Sequence, residues 1–364
     1  MFHYIDGAAE DEVTLRANTG DFDVWRWAPN YLVDVAKVDP SARIMGMEST
    51  LPLMLSPTGM SRLFHPDGEI AVSRAAAAQG LPYCLSTMGS TTIEDVAAAS
   101  EGAHCFQIYG FRDRALTREF IERARAAGYQ SLCLTVDVPV AGNRERDLRT
   151  GLMVPPRLTI ASALAIAARP GWLVRYLKSE PLSLANVSHR VKDTDGALVE
   201  YINGQFDPSL TWDDVAWMVE AWGGPFAIKG VLRADDARRA IEVGASAVMV
   251  SNHGGRQLDG AVTPIEILPD IVEAVDGRAE VILDGGVRRG SHVLKAIALG
   301  ATACMIGRPY LYGLGAAGQP GVDRALSILR EEIMRAMALL GARSLSEVGP
   351  DHLRRFTGSQ ERPR

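Results

Sequence analysis

Residues 225–308 decide the fold: PFAIKG (225–230), AVMVSN (247–252), EVILDGG (280–286) and ACMIGR (303–308), with an amphipathic, Ala-containing stretch after each of the first three. Continuous apolar runs of this length suit parallel strands buried on both faces, and the stretches between them read as helices. Working towards the N-terminus, four more runs have the same character: LPLMLSP (51–57), LPYCLST (81–87), CFQIYG (105–110) and SLCLTVD (131–137). Helices are expected from Pro66-Asp67-Gly68-Glu69 onward, from Thr92, and over Thr117–Ala127, Thr211–Trp222, Ala234–Val243, Pro264–Val275 and Ser291–Leu299. Gly80, Gly128, Gly244 and Gly300 stand where a glycine just past a helix end stops it. Eight strand–helix units without a sheet-edge candidate predict an α/β fold, a (β/α)8 TIM barrel over residues 51–340 in a single domain of 1–364.

One connection breaks the rhythm. A long insertion after strand 4 covers residues 138–210, and such loops serve as lids or partner surfaces or are disordered. Residues 1–50 precede the barrel, and the polar tail after Gly341 is expected to fray.

The composition sets limits. The 364 residues are 47% hydrophobic, with 38 Lys+Arg against 44 Asp+Glu for a net charge of −6, which is the make-up of a globular chain with a large core. The acidic balance argues against nucleic acid as a partner. Cys84, Cys105, Cys133 and Cys304 sit in apolar runs without C-x-x-C spacing and read as reduced, buried thiols of a cytoplasmic protein. The acidic N-terminus MFHYIDGAAEDE is not a signal peptide. The remaining histidines lack paired ligand spacing, so no metal is expected, and Trp212, Trp217 and Trp222 are read as helix packing.

A barrel of this type carries its active site at the C-terminal ends of the strands. Those ends hold Pro57-Thr58-Gly59, Ser86, Gln107, Tyr109, Thr135, Asp137, Lys229, Ser251-Asn252-His253, Asp284-Gly285-Gly286 and Gly307-Arg308. His253 can exchange a proton near neutral pH, and Arg256, three residues on, can clamp a carboxylate. The plainer reading of His253 is a capping residue in a tight turn. Glycines at the ends of strands 7 and 8, with Arg288 and Arg308, match a barrel phosphate site. Lys229 alone is compatible with a Schiff-base nucleophile, a phosphate ligand or a solvated rim charge.

With these residues in hand, the sequence resembles the FMN-dependent α-hydroxy-acid dehydrogenase/oxidase family, and within it the bacterial flavin L-lactate dehydrogenase and mandelate dehydrogenase branch. The resemblance rests on SNHGGRQLDG (251–260), LDGGVRRG (283–290), IGRPYLY (306–312), PTGM (57–60), FQIYGFRDR (106–114) and LTVDVP (134–139), and runs from Phe2 to Val348. It implies FMN as cofactor and oxidation of an L-2-hydroxy acid to the 2-oxo acid, with electrons passed to a quinone or to O2. It implies His253 as catalytic base, Asp137 as its carboxylate partner, Tyr109 facing the substrate and Lys229 beside the flavin. Tyr4, Arg144 and Arg256 become binders of the substrate carboxylate. FMN contacts fall on Pro57, Thr58, Gly59, Ser86, Gln107, Thr135, Lys229, Ser251, Asp284, Gly285, Gly286, Arg288, Gly307 and Arg308. Gly59 stands where oxidases of the family often carry alanine, which favours a dehydrogenase, and Met88 replaces a tryptophan of glycolate oxidase. The family carries a first helix ahead of the segment matching Phe2, so Tyr4 is expected to be held less firmly here. Residues 158–177 resemble the loop of membrane-associated relatives, which implies peripheral contact with a membrane, with an oligomer contact as the alternative; the family suggests a homotetramer. Rival readings are a barrel enzyme of the isopentenyl-diphosphate isomerase or inosinate-dehydrogenase type, neither of which needs the His253–Arg256 pair, and a flavin-binding barrel without turnover.

Overall fold

The computed structural model describes residues 2–150, 182–188, 201 and 204–356, and in it the eight apolar runs form eight strands. These are β1 (Leu53–Leu55), β2 (Tyr83–Ser86), β3 (His104–Tyr109), β4 (Ser131–Thr135), β5 (Phe226–Val231), β6 (Ala247–Ser251), β7 (Glu280–Asp284) and β8 (Ala303–Ile306). Each pairs in parallel with its chain neighbour, and β8 returns to β1 with Cys304 beside Leu53 and Ile306 beside Leu55, so the sheet closes into a barrel. The helices of the outer ring are α1 (Gly68–Ala78), α2 (Ile93–Ala99), α3 (Arg114–Ala126), α4 (Trp212–Trp222), α5 (Ala234–Glu242), α6 (Pro264–Val275), α7 (Gly290–Ala298) and α8 (Gln319–Leu340).

Local chemistry sets the helix ends. Gly80, Gly128, Gly244 and Gly300 all have left-handed φ, from 65° to 100°, which closes a helix without a Cβ penalty. The helix α3 starts ahead of the expected Thr117 because the Asp113 carboxylate accepts hydrogen bonds from the amides of Ala115 and Leu116, at 2.9 and 3.1 Å. Thr211 and Asp214 cap α4 reciprocally, with the Thr211 amide donating to Asp214 Oδ2 at 3.0 Å. Two helices follow β8, Arg308–Ala317 and then α8, where the repeat leads one to expect one.

The period of two along each strand sorts the barrel interior into layers. Met54, Cys84, Cys105, Cys133, Ala227, Met249, Ile282 and Met305 form one buried apolar cluster, closed below by Ile44, Met45 and Met47 from the hairpin Ala42–Ile44/Met47–Ser49. All four cysteines are free and buried. Two residues further along the strands come Ser56, Ser86, Gln107, Thr135, Lys229, Ser251, Asp284 and Gly307. The dry floor thus ends where the polar rim begins.

The tail differs from expectation. Leu353–Arg355 pairs antiparallel with Trp25–Trp27, and the Arg26 guanidinium lies 3.8 Å from the Phe356 ring centroid, so the chain is tied down as far as Phe356. Local polarity hid a pairing made across the whole length of the chain. The amphipathic stretch 158–177 lies outside the described residues, whereas Leu184 and Val187 are buried and Asn186 Oδ1 accepts from the Ile93 amide at 2.9 Å. Removing the α3 cap tests the helix assignment: Asp113→Ala should cost about 1 kcal/mol in urea unfolding, with the barrel rim intact.

Candidate active site

The rim is organised around a buried ion pair. Lys229, at 4% exposure, lies near the C-terminal end of β5, Ser251 ends β6 and Asp284 ends β7. Lys229 Nζ lies 2.7 Å from Asp284 Oδ2 and donates to Ser251 Oγ at 3.0 Å, while Ser251 Oγ donates to the same carboxylate oxygen at 2.8 Å. Ser56 Oγ donates to Asp284 Oδ1 at 2.8 Å. Burial alone would neutralise both groups, yet the neighbouring charge wins: the Asp284 carboxyl is held below its usual range and the Lys229 ammonium is pushed up.

The next residues turn sharply. His253, Gly254 and Gly255 are all left-handed, with φ of 58°, 66° and 76°. For a histidine this is strained, and it persists because the turn is bolted at several points. The His253 amide donates to Ser251 Oγ at 3.1 Å, and the Gly255 amide donates to Asn252 Oδ1 at 3.2 Å. Asn252 and Asn18 exchange amide hydrogen bonds at 2.9 and 2.7 Å, and the Asp259 carboxylate caps the helix Val13–Gly20 through the amides of Val13 and Thr14. A Cβ on Gly255 would meet the Leu15 amide nitrogen at 2.9 Å, so that helix can approach only a glycine.

His253 Nδ1 lies 2.9 Å from Asp137 Oδ1. A carboxylate can only accept, so Nδ1 carries the proton and the Nε2 lone pair is free to take one. The capping alternative for His253 therefore gives way to a polarised His–Asp pair. Asp137 Oδ2 and Arg144 Nε are buried without a hydrogen-bond partner among the described residues, which fits demand for a ligand. Burial, reinforced by the Asp137 charge, pushes the Tyr109 hydroxyl up to about 12, so it stays a donor through the neutral range.

These groups open on one cavity of about 480 Å³. Its lining includes Tyr4, Pro57, Thr58, Gly59, Ser86, Tyr109, Arg144, Lys229, His253, Arg256, Asp284, Gly285, Gly286, Arg288, Gly307 and Arg308. Gln107, Thr135, Ser251 and Asp137 stand on the same rim but not on that lining: Gln107 Oε1, for instance, accepts from Ser86 Oγ at 3.0 Å. The sequence reading did not assign Ser56, Phe64, Phe206, Asp147 or Leu311, which also line the cavity. Phe206 packs edge-on against Tyr109 with ring centroids 5.2 Å apart; its sequence context, NGQFDPSLTW (203–212), carries no local sign of a role at the cavity.

One end is built for anions. Arg256, Arg288 and Arg308 are all lowered in pKa by burial, and for Arg308 the charges of Arg256 and Arg288 add to it, to about 9. Their hydrogen bonds go to neutral carbonyls: Arg308 donates to Ile5, Gly7 and Gly254, and Arg256 to Tyr4 and Gly7, at 2.7–3.1 Å. Gly286, at φ 79°, lies so close to Asn18 that a Cβ would sit 1.9 Å from its carbonyl oxygen. Glycine backbone and crowded arginines beside a buried ammonium fit an anionic, phosphorylated cofactor and a small carboxylate. Tyr4 is in contact with the same group, since its carbonyl accepts from Arg256 at 2.7 Å and its ring faces that guanidinium at 4.8 Å.

The comparisons agree with this chemistry. The sequence matches the FMN-dependent dehydrogenase family over residues 1–355. It is 43% identical over 354 residues to a putative L-lactate dehydrogenase of Mycobacterium tuberculosis, covering 97% of this chain and 84% of that protein. It is 43% identical over 355 residues to an L-lactate oxidase of Nostoc sp., covering 96% and 92%. The crystal structure of the monotopic membrane protein (S)-mandelate dehydrogenase superposes with a TM-score of 0.93 at 37% identity, covering 97% of this chain and 94% of that one. With a closed barrel, a His–Asp pair on its rim and an anion-lined cavity above it, the chain belongs to the FMN-dependent dehydrogenase family and is an FMN enzyme of the α-hydroxy-acid dehydrogenase/oxidase kind.

Proposed function

We propose that the protein oxidises a small L-2-hydroxy acid, lactate- or mandelate-like, to its 2-oxo acid and passes the electrons to a quinone-type acceptor. The observation that carries this reading is the His253–Asp137 pair at 2.9 Å on the rim of the cavity that also holds Arg144, Arg256 and Tyr4. Arg144 and Arg256 fix the substrate carboxylate, with the buried Arg144 Nε as a ready donor. Tyr4 and Tyr109 bracket the reacting end. The Nε2 of His253 takes a proton from the substrate, and Asp137 stabilises the imidazolium that results. FMN, when bound, supplies the two-electron acceptor.

The cofactor's phosphate suits Gly285, Gly286, Arg288, Gly307 and Arg308, and its ring system suits the strand ends bearing Pro57, Thr58, Gly59, Ser86, Gln107, Thr135 and Ser251. Lys229, kept cationic by Asp284, favours negative charge on the reduced ring. Gly59 supports the dehydrogenase reading through the resemblance alone, since oxidases of the family often carry alanine there; in this chain an added Cβ would meet Met88 Cβ at 2.9 Å. The oxidase alternative is favoured by the likeness to the Nostoc enzyme. No helix among the described residues is long and apolar enough to cross a membrane. Peripheral contact through residues 158–177 is proposed by analogy with the monotopic relative, and a homotetramer by analogy with the family. Cofractionation with membranes that is lost on deleting 158–177 is the expected result for the first; light scattering of the purified protein checks the second.

Under argon, L-lactate or L-mandelate should bleach the flavin band of the purified protein, and a band that ignores both acids and longer 2-hydroxy acids refutes the reading. Reoxidation by a soluble quinone should outpace peroxide formation in air; the reverse order makes the enzyme an oxidase. Replacing the base, His253→Gln, should slow anaerobic bleaching by about 10²–10⁴-fold while the bound flavin spectrum persists. Breaking the buried pair with Asp284→Ala should cost about 3–5 kcal/mol in urea unfolding, because Lys229 is left uncompensated. The depressed carboxyl of Asp284 contributes stability above its unfolded value, so this difference between parent and variant should shrink as pH falls into the acid range.

A further inference from the structure

Arg146 is absent from the cavity lining, yet its neighbours are part of it. On the helix Glu145–Thr150, Asp147 and Leu148 face the cavity, as does Arg144 just ahead of it. Arg146 points the other way, to the N-terminal segment. Its guanidinium donates to Asp6 Oδ2 at 2.7 Å and makes a second, close ion pair with Glu12. Its stem runs along Gly7, where an added Cβ would approach Arg146 Cδ to 3.2 Å. Gly7 is the residue whose carbonyl accepts from both Arg256 and Arg308.

The segment Arg146 grips is strained and polar. Glu10 and Glu12 have left-handed φ of 46° and 59°, conformations that non-glycine residues keep only when the surroundings impose them. Glu12 Oε1 accepts from the Ala8 amide at 3.0 Å, and the Glu10 amide donates to the Asn143 carbonyl at 2.9 Å. Asp6 also accepts from the Tyr312 hydroxyl at 2.9 Å, and these bonds outweigh burial in keeping its carboxyl below the usual range.

We propose that Arg146 is a positioning residue for the substrate carboxylate: by clamping Asp6 and Glu12 it sets the distance between Tyr4 on the N-terminal helix Phe2–Asp6 and Arg144 beside its own helix. The proposal rests on the reading of Tyr4 and Arg144 as carboxylate binders. Arg146 touches neither substrate nor cofactor, so its effect lies in binding geometry and not in the proton or electron transfer. The anionic partners of the clamp are turned away from the cavity, so they do not compete with the substrate anion.

The test compares FMN-loaded parent, Arg146→Gln, Arg146→Lys and Glu12→Gln. Expected for Arg146→Gln is a KM for the 2-hydroxy acid raised about tenfold with kcat within about twofold. Arg146→Lys should recover part of the loss. Glu12→Gln, which keeps shape and removes one charge, should shift KM the same way and guards against misfolding of the arginine variants. Hydrogen exchange at the amides of residues 7–13 should accelerate in Arg146→Gln while β1–β8 stay protected. Unchanged KM in both Arg146→Gln and Glu12→Gln, or a fall in kcat without a rise in KM, overturns the proposal. If the parent bleaches with no 2-hydroxy acid, the functional reading fails on its own, and exchange at residues 7–13 that is unchanged in Arg146→Gln then overturns the clamp.

Discussion

The Lys229–Asp284 ion pair constrains everything above the barrel floor. Both charges are almost fully withdrawn from water, and a buried ammonium left alone would be expensive. The pair joins Lys229, near the C-terminal end of β5, to the end of β7, and Ser251 at the end of β6 fills the gap by accepting from one and donating to the other. Three adjacent strands are thereby locked in relative height. The Ser251 oxygen also receives the His253 amide, so the left-handed turn that aims the imidazole hangs from the same bond network. A rim charge that could swing into solvent would fix none of this. Of the alternatives open for Lys229 from the sequence, its burial removes the solvated rim charge.

The barrel was legible because it is written in local repeats. Each strand buries both faces and so reads as an unbroken apolar run, and α1, α3, α5 and α7 each stop just before a glycine with positive φ. Even the polar layer can be read in this way: stepping two residues on from Met54, Cys84, Ala227, Met249 and Ile282 lands on Ser56, Ser86, Lys229, Ser251 and Asp284. His253 and Arg256 stand out by type and spacing.

What stayed hidden depends on contacts between distant parts of the chain. The strand pairing of Trp25–Trp27 with Leu353–Arg355 has no local signature, and the tail looked merely polar. Phe206 reaches the cavity from the far side of the insertion by packing on Tyr109. Asn18 braces the histidine turn through a reciprocal amide pair with Asn252, but an asparagine within a short helix carries no periodic signal. The hold on Tyr4 was invisible for a further reason: it runs through backbone carbonyls, and every residue has one.

That choice of acceptor has an electrostatic logic. Arg256 and Arg308 must be held still, yet they must keep their charge available for anions. A carboxylate partner would hold them more strongly but would cancel the field and compete with the incoming ligand. Neutral carbonyls of residues 4, 5 and 7 give direction without neutralisation, at the cost of burial, and then of crowding by Arg256 and Arg288, which lower the pKa of Arg308 to about 9. The carboxylates of the same segment, Asp6 and Glu12, are paired with Arg146 outside the cavity. One short stretch of chain therefore does two opposed jobs. Its backbone faces inward and orients cations, while its acids face outward and anchor it. An anion entering the cavity meets positive charge at both the phosphate end and the carboxylate end, tempered at the latter by Asp147 on the same lining, with Lys229 between them already balanced by Asp284.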